Sequence, residues 1–274
     1  MYNPSKKIQK VYVVEDGVKQ LSEVWNWNGD LLTSVDNYSG YDYSMEIYTT
    51  TFTYDNENRL IAMDNGSSHV DCIYNGKKLE KMVITDPFEN TMLGSSEFEH
   101  KGSKISKIIM TVDLSSWLDD DDWKRMSMIN PMRFLIPDVC STIESAVKKC
   151  SKDAKGETIT LDLKWSGNNV KTMELKYAGM FGSIVETVDL TYDNKNNPTY
   201  GLLAQLSTES IDNIFLNKNN PLSIVMKVGG MVYDKSTYTY EYEDNYPVKV
   251  TCENVEEPGT EDAQSFVYTR IYEY

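Results

Sequence analysis

Two tryptophans two residues apart, Trp25 and Trp27, with Trp165 at the corresponding place in the second half of the chain, are the residues whose type and spacing most directly suggest binding chemistry. Alternate positions on a strand share a face, and flat indole rings stack on sugar rings. Packing inside a shell is the competing use of the same rings, and it outweighs stacking. Trp117 and Trp123 join the three as candidate binding residues; they flank the most distinctive local string, Trp117-Leu118-Asp119-Asp120-Asp121-Asp122-Trp123. Carboxylate clusters attract hard cations. Four consecutive Asp on a helix point in different directions, however, and the alternating Asp loop of a calcium site is missing. Asp119, Asp120, Asp121 and Asp122 are read as a solvated helix start, so no metal and no cofactor are expected. His69 and His100 are the only histidines, with no third ligand or Ser-His-Asp pattern at motif spacing. A glycosidase pair is defined by separation in space, so nothing singles one out among 42 Asp and Glu residues.

The elements that must position these residues follow from composition and pattern. The 274 residues carry 27 Lys and Arg against 42 Asp and Glu, a net charge of -15 that repels phosphate backbones and anionic lipid. No nucleic-acid partner is expected. A hydrophobic fraction of 40% argues for a folded core. There is no apolar run of about 18 residues and no signal-peptide core near Met1, so the protein is either cytosolic or has lost an export signal. Cys72, Cys140, Cys150 and Cys252 lack zinc-site spacing.

Eight times an aromatic or apolar residue precedes a polar Asn/Asp/Gly turn and a new apolar stretch, at positions 27, 54, 74, 100, 165, 192, 216 and 242. Before the turns the apolar residues alternate, as Tyr238, Tyr240 and Tyr242 do against Thr237, Thr239 and Glu241, which is the period of a half-buried strand. Asn28-Gly29 and Asn75-Gly76 suit tight hairpins. Pro198, Pro221 and Pro247 stand just before the returning strands, where a ladder can spare a donor. The spacing predicts an all-β, antiparallel up-and-down meander of roughly 16 to 18 strands curled into a barrel-like shell, forming one domain over residues 1–274.

One gap between copies, of 65 residues, is anomalous. It predicts a helical insertion at about 113–156, with a helix from Asp138 striped by Val139, Ile143, Ala146, Val147 and Cys150. In that helix Cys140 and Cys150 lie about 15 Å apart, too far for a disulfide. The C-terminal Phe266 to Tyr274 ends in an aromatic, as outer-membrane barrels do, with Arg270 on the face of Tyr268 and Tyr272. The strands read as shorter than the roughly 9 to 11 residues a bilayer needs.

Phe52 to Met63 resembles the YD (RHS-type) repeat, an aromatic, a Tyr-Asp pair, a short polar turn, then Arg-Leu. Tyr54-Asp55 and Arg59-Leu60 match it, and Tyr192-Asp193 matches the first half, with Asn197-Pro198 in place of Arg-Leu. Over about 20–112 and 157–272 the degenerate array and its mid-chain insert resemble a family of uncharacterised secreted lipoproteins of Bacteroides-type gut bacteria, described as having a porin-like fold. That resemblance implies export, a lipid anchor from a leader this sequence does not include, and a barrel-like sheet outside the membrane. It carries over no catalytic residues. The reading is a monomeric, non-enzymatic binding or scaffold protein of the periplasm or cell surface, with a glycan or another envelope protein as partner. A glycan hydrolase with a carboxylate pair in an open lumen is the runner-up, and an integral outer-membrane barrel the third.

Overall fold

Alternating apolar and polar residues, reversed at Asn, Asp and Gly, form strands that bury one face and wet the other. The computed structural model describes residues 4–15, 17–39, 46–112, 157–179, 182–202, 216–261 and 263–274. The first strands are β1 (Lys10–Glu15), β2 (Val18–Asn28), β3 (Leu31–Ser39), β4 (Glu46–Tyr54), β5 (Leu60–Asp64), β6 (His69–Asn75), β7 (Lys78–Thr85) and β8 (Met92–Lys101). There follow β9 (Lys104–Val112), β10 (Glu157–Ser166), β11 (Asn169–Gly179), β12 (Gly182–Tyr192), β13 (Pro221–Val228), β14 (Met231–Glu243), β15 (Tyr246–Glu256) and β16 (Gln264–Glu273). Every strand pairs antiparallel with its sequence neighbours, and β1 pairs with β16, so the sheet is a closed sixteen-stranded barrel. Closure removes both edges that an open meander would leave to aggregate.

The expected meander and strand number are present. Among the described residues there is no helix; the helical insertion expected at 113–156, with Trp117, Asp119 to Asp122, Trp123, Cys140 and Cys150, lies outside them. Three expectations need correction. The strands are not uniformly short: β2, β11, β12 and β15 have eleven residues and β14 thirteen, whereas β1, β5, β6, β7 and β13 have five to eight. The longer ones run past the last apolar residue because the ladder is made by backbone N–H and C=O groups, which polar residues also supply. The copy at Leu216 ends no described strand; its residues lie in the long β12–β13 connection. Pro198 also lies in that connection, whereas Pro221 opens β13 and Pro247 is the second residue of β15.

Two-residue turns join many hairpins at one end, where Gly29 takes φ 57° and Asp244 and Asn245 take 50° and 67°. At Asp244-Asn245 both central residues have positive φ, the hairpin geometry that matches strand twist. Ile108, Met110, Leu161, Met173, Leu175, Val188, Ile224 and Met226 point inward and are almost fully buried, each contributing about 1.5 to 3 kcal/mol of apolar burial. The outer wall carries Thr, Lys, Asp and Glu in cross-strand pairs. Lys81 meets Glu97 at 3.1 Å, Lys176 meets Asp162 at 2.8 Å, Lys227 meets Asp189 at 2.8 Å and Lys249 meets Glu241 at 2.8 Å. Such exposed pairs add little stability, but they mark the outer face of the wall.

Candidate functional site

The end bearing the short turns is built from one device. A register shift directly precedes Trp27, Tyr54, Tyr74, His100, Trp165, Tyr192 and Tyr242. A bulge re-aims the next side chain, and for Trp27, Tyr54, His100, Trp165 and Tyr192 the polar tip then reaches a backbone carbonyl at or just before the start of the neighbouring strand; Tyr240 and Tyr274 make the same contact with no register shift directly before them. Trp27 donates to the Ile8 carbonyl at 2.7 Å, Tyr54 to Leu32 at 2.8 Å, Trp165 to Ile105 at 2.7 Å and Tyr192 to Val170 at 2.6 Å. Tyr240 donates to Pro221 at 2.6 Å and Tyr274 to Pro247 at 2.8 Å. His100 Nε2 lies 2.7 Å from the Leu79 carbonyl, which places its proton on Nε2. Burial pushes the Tyr54 hydroxyl up to about 12, so this donor stays protonated.

The residues that carry the YD resemblance have separate jobs at this end. Tyr54 is the staple. Asp55 accepts from the backbone N–H of Glu57 and Arg59, each at 2.9 Å, and from Arg59 Nε at 2.6 Å; the Arg59 backbone bond leads in holding its carboxyl below the usual range. Arg59 also donates to the Gly76 carbonyl of the next hairpin at 2.6 Å and lies over the Tyr74 ring. Asp193 replaces the arginine contact with Asn220, whose backbone N–H and side chain both donate to it, while Tyr242 hydrogen-bonds the same carboxylate.

Away from the staples the interior also carries polar groups, Asp234 and Glu186 lying toward the opposite rim. Glu23 is 0% and Arg270 1% exposed; Arg270 Nη2 lies 4.0 Å from Glu23 Oε1, and the Trp25 indole donates to Glu23 Oε2 at 2.7 Å. Asn254 donates to both oxygens of buried Asp234 and to Ser236, and Tyr233 donates to buried Glu186 at 3.2 Å. Burial raises the pKa of both Glu186 and Asp234, outweighing the donors. These are protonatable groups held dry, and a hydrolase would need them open to substrate. Cys72 and Cys252 are buried; burial pushes the Cys72 thiol up to about 12, which makes it a poor nucleophile.

At the rim itself the apolar residues come out. Ten of the thirteen exposed large hydrophobic side chains among the described residues lie at this end, including Val18, Phe88, Met231, Phe266 and Val267. At the stapled end an open surface groove of about 980 Å³ is lined by Lys6, Lys7, Glu241, Glu243, Lys249 and Glu273 among others. Its cations already have anions: Lys6 pairs with Asp244, Lys7 with Asp30 and Lys249 with Glu241.

Trp25 is 2% exposed, stacks beside Trp27 and has no ring face open to a ligand. Trp27 and Trp165 are half-buried staples, with Lys7 and Lys104 over their rings. The structure thus distributes these indoles around the stapled end and gathers no common platform. His69 lies on the outer wall between Asp64 and Asp71, and no group of three metal-ligating side chains occurs among the described residues. Glu23, Glu186, Asp234, Ser236 and Asn254 were missed by sequence reasoning. Their signal is a polar residue in the apolar phase: Glu23 leads into Trp25 and Trp27, Glu186 into Val188 and Leu190, Asp234 and Ser236 into Tyr238.

No protein-family model and no curated protein matches the chain. Among solved structures it is similar to a porin-like protein from Bacteroides vulgatus ATCC 8482, with 12% identity, 98% of this chain and 99% of that chain covered, and a TM-score of 0.44. It is also similar to a chain of the TcdB2-TccC3 crystal structure, at 9% identity and a TM-score of 0.31, covering 89% of this chain and 14% of that one.

Proposed function

We propose that this chain is a non-catalytic barrel of the cell envelope that stands in water and works by binding or scaffolding, with a glycan or another envelope protein as partner. The observation that carries this reading is the distribution of side chains across the wall. Paired Lys, Asp and Glu face outward and apolar residues face inward, whereas a lipid-crossing barrel presents an apolar band about 25 Å tall and keeps polar groups inside. Export with a lipid anchor, and descent of the hairpins from a YD-type repeat, complete the proposal; the roles of Tyr54, Asp55 and Arg59 support the latter.

An integral outer-membrane barrel is the second reading, and specific observations favour it over an open scaffold. The sheet closes, the strand number is even, and several strands have the 9 to 11 residues a tilted crossing needs. Against it, each Lys at the bilayer midplane would cost about 2 to 4 kcal/mol. Flotation of the purified chain with phosphatidylcholine/phosphatidylglycerol vesicles decides between them. The proposal expects the protein to stay in the dense fraction and remain monodisperse without detergent; co-flotation and a detergent requirement would establish the second reading. A glycan-array and hydrolysis screen then tests partner and catalysis, with hydrolysis of any glycan overturning the non-enzymatic assignment.

A further inference from the structure

We infer that the rim opposite the staples, along the arc from β12 to β2, is a docking face for a basic protein segment with apolar anchors. The inference deepens the binding reading above and rests on it. Val228 and Met231 oppose each other across the β13–β14 turn and continue the inward phase of Met226. Phe266 likewise continues the inward phase of Tyr268 and Arg270, yet it is exposed, as is Met231 at 76%. Val232 and Val267, at 66%, sit on the outer side of the same lip, and Val18 on its inner side. The lip is therefore apolar on both faces over neighbouring strands, whereas the wall below it is charged outside. Apolar surface gathered in one place and rimmed by charge marks an interaction site.

The charge selects the partner. The β15–β16 hairpin that carries Phe266 also carries exposed Glu256, Glu257 and Glu261 around its turn, in a chain of net charge -15. Of the lysines on these strands, Lys19 is held by Glu273 at 3.4 Å and Lys227 by Asp189 at 2.8 Å, while Lys235 lies on the outer wall in register with Val255. Anionic lipid is repelled by this arrangement, and a segment pairing Lys or Arg with aromatic or branched residues is attracted.

Phage-displayed random dodecapeptides panned on the full chain provide the test. Selected peptides are expected to combine Lys or Arg with aromatic or aliphatic anchors. Their affinity is expected to fall roughly tenfold or more in Met231→Ser/Phe266→Ser, to fall in Glu256→Gln/Glu257→Gln/Glu261→Gln, and to weaken with added salt. Unchanged thermal midpoints in both variants show that folding is not the cause. No selection, acidic or uncharged peptides, or binding indifferent to both variants would overturn the inference. So would flotation on phosphatidylcholine vesicles that depends on Met231 and Phe266, which assigns the lip to lipid, or a sedimenting dimer abolished by Met231→Ser, which assigns it to a second copy. If instead flotation depends on substitutions in the outer wall and not on the lip, the reading of a barrel that stands in water fails first.

Discussion

The stapled end and the opposite lip are the two terminations of the same sixteen strands, and they dispose of their apolar residues in opposite ways. At the stapled end the aromatic residues turn inward and spend their polar tips on neighbouring carbonyls, seven times over. At the lip, Met231, Phe266 and Val267 are exposed, and the interior beneath holds Asp234 and Glu186, with Glu23 and Arg270 further along the barrel. A repeated local device that fixes strand register at one end leaves the other free of that duty. On the docking proposal, the difference separates scaffold from binding surface, since a residue committed to a carbonyl has little left to offer a ligand.

The largest effect is expected inside the barrel. Glu23→Ala leaves the Arg270 guanidinium without this carboxylate and the Trp25 indole without its acceptor; a loss of about 3 to 5 kcal/mol is expected in urea unfolding, and a loss under 1 would show the pair to be incidental. Removing two staples together, Tyr54→Phe with Tyr192→Phe, deletes two donors to strand-start carbonyls. Each is worth about 0.5 to 1.5 kcal/mol, and sites on β4 and β12 share no partner, so the costs should add. Denaturation of the single and double variants checks this.

A pH series sharpens the contrast further. Burial raises the pKa of Glu186 in the folded state, so its contribution to stability is complete below the ordinary glutamate value near about 4.3 and is lost as pH rises through the folded value. Glu186→Gln should flatten the decline in stability above that point, measured as the urea midpoint from pH 4 to 8; an unaltered slope would exclude Glu186 as its source. The smallest effect belongs to the lip: Met231→Ser should change stability by no more than about 0.5 kcal/mol, because its side chain is largely in water already.

Much of this was legible in the residues themselves. Tyr238, Tyr240 and Tyr242 announce β14 by their period, and the Asn-Gly pairs announce the hairpins, because both depend only on neighbours in sequence. The strand ends were harder to read: β14 begins at Met231, seven residues before Tyr238, but Asp234 and Ser236 interrupt the apolar alternation even though they share its face. Leu216-Asn217 imitates the pre-turn pair, yet buried Asn217 accepts the Val170 N–H at 2.6 Å from within a loop. The face of Arg270 could be read from Tyr268 and Tyr272. Its meeting with Glu23 could not, since β1 lies between their strands and the contact exists only once the barrel closes.

The central claim is that the wall is wet outside and dry inside. Nitroxides attached at Thr160→Cys and Thr172→Cys on the outer wall, with the native cysteines replaced by alanine, report this directly through collisional relaxation in the presence of phosphatidylcholine/phosphatidylglycerol vesicles. The barrel described here predicts high accessibility to a water-soluble nickel chelate and low accessibility to lipid-dissolved oxygen at both positions. The reverse pattern, oxygen reaching both labels and the chelate neither, would place the wall in lipid and contradict it.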